Sequence, residues 1–247
     1  MHITCEIWKG TDEASGGFVT YQLDADAGDM VLDALETIYH EFDPALSYRY
    51  ACGIARCGEC AMVVNGVPYL ACEKKVEPFM RIEPLQRLPR IKDTVIDRRK
   101  VFDHIDRLLP QACDIEDMVR NLQMIDDATA KEDIENSIRL TNCYECMICQ
   151  SMCPRYLEDG TDFPGPLGLL ILMQMRENPA QKPFGKEWEA MLSASCLSCG
   201  KCMRYCPAEK KPLRLALELL DRSPKTAVRY FYDGNGEQHI QEVADYV

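Results

Sequence analysis

The sequence predicts an α+β protein in two modules: a small sheet with one helix over residues 1–95, then a helical half over residues 96–247. Three observations carry that expectation. Strand-like alternation and an Asn-Gly hairpin signal occupy the first module. From Asp93 onward the apolar spacing turns helical. The cysteines, 14 in all, fall into one spacing pattern in the first half and a different, repeated one in the second.

His2–Lys9 alternates side chains as a half-buried strand does, and Gly16-Gly17 turns the chain into a second strand, Phe18–Leu23. Met30–Phe42 places Val31, Leu32, Leu35, Ile38, Tyr39 and Phe42 at helical spacing, with Asp29 as N-cap and Pro44 just past the end. Ala61–Val64, Asn65-Gly66 and Val67–Ala71 read as a hairpin, because Asn-Gly suits a type I′ turn. Met80–Leu85 is the last strand of the module. This order around a cysteine loop is consistent with a β-grasp arrangement, the fold of plant-type ferredoxins.

Gln86–Lys92, with Pro89 and several basic residues, reads as a crossover. Beyond it Val95, Ile96, Val101, Phe102, Ile105, Leu108 and Leu109 line one helical face until Pro110. Ile115–Ile125, Glu132–Leu140, Gly165–Arg176 and Trp188–Leu192 continue the helical pattern. The tail, Ser223–Val247, is polar and reads as an edge hairpin.

The cysteine spacings name a chemistry. Cys52, Cys57, Cys60 and Cys72 fit C-x4-C-x2-C…C, a [2Fe–2S] ligand pattern. Cys143, Cys146, Cys149 and Cys153 before Pro154 fit C-x2-C-x2-C-x3-C-P, and Cys196, Cys199, Cys202 and Cys206 before Pro207 repeat it. In such paired runs the fourth cysteine reaches the other cluster. Crossed ligation is therefore expected: Cys143, Cys146, Cys149 and Cys206 for a first [4Fe–4S] cluster, and Cys153, Cys196, Cys199 and Cys202 for a second. Without Cys199 the latter would be [3Fe–4S]. Gly53 and Gly58 allow the first loop to turn its N–H groups toward sulfur, and Arg49 and Arg56 are candidate potential-raising charges. Cys5 and Cys113 read as packing residues. His2, His40, His104 and His239 show no ligand spacing, and Met173 and Met175 read as core filling.

The alternatives are weaker. Disulfide frameworks belong to short secreted domains, and a zinc ribbon closes one tetrahedral site from pairs of cysteines. A net charge of −12 argues against nucleic acid or an anionic membrane face as a direct partner. The longest apolar run, Leu167–Met173, is far short of the roughly 18 residues of a membrane span. The start, MHITCEIW, lacks the basic and apolar segments of a secretory signal, and thiolate-held clusters suit a reducing, cytoplasmic setting.

A plant-type cluster loop followed by a two-cluster helical module resembles the iron–sulfur subunit of succinate dehydrogenase and fumarate reductase (complex II). The match spans roughly residues 1–220. It rests on Cys52–Cys60, on Asn65-Gly66…Leu70-Ala71-Cys72, and on Phe163-Pro164-Gly165-Pro166 with Gly168-Leu169-Leu170. The resemblance implies an electron-transfer subunit with no catalytic residue of its own. It would relay electrons between the FAD of a flavoprotein subunit and a quinone or other low-potential partner, on the cytoplasmic face of a membrane through an anchor or other redox subunit. Two departures from the family bear on the far end. Cys199 stands where the family usually lacks a cysteine, so four iron ligands are available. Glu158 and Leu197 stand where quinone-linked members carry tryptophan and histidine. The rival readings are a subunit of another flavin oxidoreductase with a non-quinone partner, and a free soluble multi-cluster ferredoxin. A thiol-linked fumarate reductase relative would carry further cysteine-rich segments, and none follows Cys206.

Overall fold

The computed structural model describes residues 1–11, 16–108, 127–156, 163–178, 196–220, 227–232 and 238–243. Alternation makes β1 (His2–Lys9) a strand with one dry face: Ile3, Cys5 and Ile7 are fully buried while His2, Thr4 and Glu6 are exposed or half-buried, and only the buried Trp8 breaks the pattern. β2 (Gly17–Asp24) pairs with it antiparallel, from His2↔Asp24 to Lys9↔Gly17. α1 (Val31–Thr37) continues in a wider π turn, Ile38–Phe42, closed by the Asp43 N–H donating to the Ile38 carbonyl at 2.8 Å. β3 (Ala61–Val64) and β4 (Val67–Leu70) form the expected hairpin; Asn65 and Gly66 both take positive φ, 50° and 77°, as a type I′ turn requires. β5 (Phe79–Glu83) then enters parallel to β1 and antiparallel to β3, giving the order β2-β1-β5-β3-β4. The apolar side of α1, with Val31, Leu32, Leu35 and Ile38, belongs to the same buried cluster as β1 and β5. Lys9 and Tyr21 both bond to Asp43, tying β1 and β2 to the end of the helical segment.

Two details differ from the sequence reading. The helix is capped at Met30, whose N–H donates to the Asp33 carboxylate at 2.7 Å, while Asp29 accepts from Asp26 instead. Val95 and Ile96 are not helical. They form β7 (Val95–Ile96), which pairs with β6 (Arg90–Lys92) across a turn where Asp93 takes φ 50°. Asp93 is 1% exposed, and its carboxylate accepts from the N–H groups of Gly10 (2.9 Å) and Ser47 (2.8 Å). A two-residue apolar pair fits either period, so the buried carboxylate decided the conformation.

α2 (Arg98–Leu108) buries Val101 and Ile105. α3 (Asp127–Leu140), α4 (Ile148–Met152), α5 (Gly165–Glu177), α6 (Lys201–Arg204) and α7 (Pro212–Leu219) follow. α5 is buried almost all round, through Leu167, Leu169, Leu170, Leu172 and Met173, and both α3 and α7 pack against it. Ile115–Ile125 and Trp188–Leu192 lie outside the described residues. The tail forms a hairpin of its own, β8 (Ala227–Tyr232) with β9 (Gln238–Val243), rather than an edge of the main sheet. One continuous apolar cluster runs from the sheet through Val101, Ile105 and Leu140 into α5 and α7.

Candidate metal centres

The first cysteine loop is built around an anion. Gly53 (φ 66°), Ala55 (φ 54°) and Gly58 (φ 70°) fold residues 52–60 back on themselves. That turn aims the N–H groups of Ile54 (3.4 Å), Arg56 (3.3 Å) and Cys57 (3.3 Å) at the Cys52 sulfur, and that of Ala55 at the Cys72 sulfur (3.3 Å). These donors pull the Cys52 thiol down to about 6, so the thiolate that binds metal is already favoured. Cys60 and Cys72 close the site from the hairpin side with their sulfurs 3.4 Å apart, and the Ala71 N–H donates to the Cys60 carbonyl at 3.0 Å. Burial pushes Cys60 up to about 12.

The two later runs repeat one backbone conformation. Glu145 (φ 49°) and Met147 (φ 65°) in the first correspond to Ser198 (φ 52°) and Gly200 (φ 71°) in the second, two and four residues after the leading cysteine. Left-handed backbone is costly for residues other than glycine, so its repetition marks a shared demand. The demand is visible: Glu145 N–H donates to Cys143 sulfur at 3.3 Å and Ser198 N–H to Cys196 sulfur at 3.4 Å, as Ile54 does to Cys52.

Each run of three is joined by the last cysteine of the other. Cys143, Cys146, Cys149 and Cys206 line one cavity of about 380 Å³; Cys153, Cys196, Cys199 and Cys202 line another of about 420 Å³. Burial first, then mutual repulsion, pushes Cys143 up to about 11, Cys146 to about 12, and Cys149 and Cys202 well above the ordinary thiol range. Four buried thiolates can coexist only with compensating positive charge, which iron supplies. Among the described residues no three His, Cys, Asp or Glu groups converge as single-ion ligands. The thiols surround cavities rather than a point, which fits polynuclear clusters and not tetrahedral zinc. None of the described cysteines is paired in a disulfide.

The two modules meet at the ligand loops. A Cβ on Gly58 would lie 2.3 Å from the Tyr144 carbonyl oxygen and 2.8 Å from the Cys146 Cα, so only glycine permits the contact. Arg98, at the start of α2, bonds the Glu59 carboxylate and donates to the Glu145 carbonyl at 2.8 Å. Arg87 donates to the Cys153 carbonyl at 3.1 Å. Sequence reasoning singled out Arg49 and Arg56 and missed Arg98 and Arg87. Arg56 is exposed; Arg49 reaches Glu59 only at 3.8 Å. No motif flags Arg98, which stands in a basic Arg-Arg-Lys triplet far from any cysteine.

The remaining expectations divide simply. Cys5 is a packing residue, pushed up to about 12 by burial. Cys113 and Glu158 lie outside the described residues. His40 is exposed, and His104 packs edge-on to Tyr156 with its ring nitrogen 3.4 Å from the Phe163 carbonyl oxygen. His2 pairs with Asp24 at the surface, and Met173 is fully buried.

A β-grasp sheet carrying one thiol quartet, joined to a helical module carrying two, defines an iron–sulfur protein of the two-domain, three-cluster class. Residues 4–103 match a 2Fe-2S iron-sulfur cluster binding domain, and residues 139–209 a 4Fe-4S dicluster domain. The chain is 30% identical over 210 residues to the fumarate reductase iron-sulfur subunit of Haemophilus influenzae, covering 78% of this chain and 81% of that one. It is 29% identical over 206 residues to the succinate dehydrogenase iron-sulfur subunit of Paracoccus denitrificans, covering 79% and 77%. It is also 32% identical over 182 residues to a subunit of the fumarate reductase (CoM/CoB) of Methanothermobacter marburgensis, covering 72% of this chain and 35% of that one. Against that relative and two uncharacterized iron-sulfur proteins of methanogens, the chain spans only 35–42% of the relative's length. A chain of the Mycobacterium smegmatis Sdh1 complex in the apo form shares the fold, with a TM-score of 0.71 at 21% identity, covering 91% of this chain and 95% of that one. The chain belongs to the iron–sulfur subunit family of fumarate reductase and succinate dehydrogenase.

Proposed function

We propose that this chain is the electron relay of a flavin-dependent oxidoreductase of the fumarate reductase type. Single electrons pass between a flavoprotein and a second redox partner by way of a [2Fe–2S] centre held by Cys52, Cys57, Cys60 and Cys72. Two cubane centres follow, held by Cys143, Cys146, Cys149 and Cys206 and by Cys153, Cys196, Cys199 and Cys202. One observation carries the reading: both terminal ligand loops expose a large apolar side chain, Ile54 at 71% and Leu197 at 60%. Exposed apolar groups inside ligand loops suit docking of partners at both ends of a relay. Tyr50, four residues before Ile54, and Phe42, at the end of the π turn, are exposed as well. The module boundary is proposed between residues 95 and 96, within β7 and just ahead of α2.

No residue of this chain is assigned an acid–base step; the carbon substrate belongs to the flavoprotein. The second partner is proposed at low potential, and a non-quinone acceptor is favoured over a quinone. Cys199 completes a fourth iron ligand, Leu197 replaces the histidine of quinone-linked relatives, and one relative is a CoM/CoB enzyme. The described residues contain no helix long and apolar enough to cross a membrane. A cytoplasmic location, directly or against a membrane through a partner, accords with the thiolate chemistry.

Anaerobic purification from the native host tests the assignment. The chain should co-elute with a flavin-containing protein whose substrate reduces, or is reduced through, the clusters. A lone species of 28.1 kDa that exchanges no electrons with any flavoprotein would sink the subunit reading.

A further inference from the structure

The seam between the first two ligand loops carries a charge device that the relay does not require in order to bind iron. Glu59 lies between two [2Fe–2S] ligands, Cys57 and Cys60; Glu145 lies between two ligands of the next centre, Cys143 and Cys146. Arg98 bridges them. Its Nη1 bonds the Glu59 carboxylate, while its Nη2 donates to the Glu145 carbonyl at 2.8 Å and lies 3.9 Å from that residue's carboxylate. The side chain is only 16% exposed, so water screens its charge weakly. The bridge sits over the closest approach of the two loops, where Gly58 abuts Tyr144 and Cys146, and beside a cavity of about 310 Å³ lined by Glu59, Arg98 and Cys146.

We propose that Arg98 is a positioning and potential-setting residue for electron exchange between the first and second centres. Resting on the relay reading above, this assigns it two effects. Its bonds to both ligand loops fix the gap the electron crosses. Its positive charge stabilises the more negative, reduced form of the centre on either side, and so raises both potentials together. Glu59 opposes it, because that carboxylate neutralises part of the guanidinium charge on the [2Fe–2S] side. A fixed cation at the seam favours reduction of both centres, and less so on the [2Fe–2S] side, where Glu59 offsets part of its charge.

The test is a redox titration of the intact complex followed by electron paramagnetic resonance, with iron analysis alongside. Arg98→Gln should lower the midpoint potentials of the first two centres, leave the third unchanged, and weaken the magnetic coupling between the reduced first pair. Glu59→Gln should raise the [2Fe–2S] potential, the opposite sign. Arg98→Lys should restore the potentials but not the coupling, since an ammonium cannot span both loops as a fork does. Loss of iron in Arg98→Gln leaves the decision to Glu59→Gln and Arg98→Lys, which keep a cation at the seam. Unchanged potentials in iron-replete Arg98→Gln, or shifts of the same sign in Arg98→Gln and Glu59→Gln, overturn the proposal. A parent chain without iron would instead overturn the relay reading itself.

Discussion

At the scale of single residues, the sites are defined by what the backbone does to sulfur. Cys52 is held as a thiolate by three N–H donors, while the thiols of the deeper quartets are pushed up by burial and need iron to ionise. Cys199 is the position on which the third centre turns. It lines the second cavity with Cys153, Cys196 and Cys202, so a fourth iron has its ligand there. Cys199→Ser should drop iron from about ten to about nine per chain and give the third centre the paramagnetic signature of an oxidised three-iron cluster. The other two centres should keep their signals. Iron analysis with electron paramagnetic resonance decides it, and full iron with an unaltered third centre refutes it.

At the scale of elements, legibility followed from whether the code is local. The strands β1, β3 and β4, the Asn65-Gly66 turn, α3 and α5 were all readable, because their alternation, turn chemistry and apolar spacing reside in a few adjacent residues. The spacing within each cysteine run was legible for the same reason, whereas the exchange of Cys153 and Cys206 between the runs is not local and was expected from the paired-run rule. The β6–β7 hairpin was not, since its cause is Asp93 reaching Gly10 and Ser47, 83 and 46 residues away in sequence. Arg98 was invisible for the same reason, as its partners come from two other segments. Gly58 belongs to both categories: its need for positive φ was legible, but its contact with Tyr144 and Cys146 was not. Gly58→Ala therefore combines φ strain with a backbone clash, whereas Gly66→Ala, at φ 77° with nothing within 4 Å, suffers strain alone. The first should cost about 2 kcal/mol or more and the second about 1 kcal/mol. Thermal unfolding of the two variants side by side measures this. Only Gly58→Ala should also disturb the magnetic coupling of the first two centres; equal midpoints and intact coupling would show that the seam does not depend on that approach.

At the scale of the whole molecule, the chain has two ends and one line of travel between them. The thiol sets follow one another from the β-grasp loop, across the Gly58–Cys146 seam, into the crossed quartets of the helical module. Ile54 and Leu197 mark opposite termini of that series, and they lie in different modules, so their contributions to partner binding should be independent. A carboxylate at either position would place an unpaired charge in a dry contact, which typically costs a few kcal/mol. Ile54→Glu should weaken flavoprotein binding at least about tenfold with iron content unchanged, because the cradle around Cys52 uses the Ile54 backbone N–H and not its exposed side chain. Leu197→Glu should leave flavoprotein binding intact and slow only the exchange with the second partner. Binding measured by titration against the flavoprotein, and cluster reoxidation followed by stopped flow, separate the two. If either variant impairs both exchanges, partners share one face and the linear relay is wrong; if neither impairs anything, those apolar groups are not where electrons enter and leave.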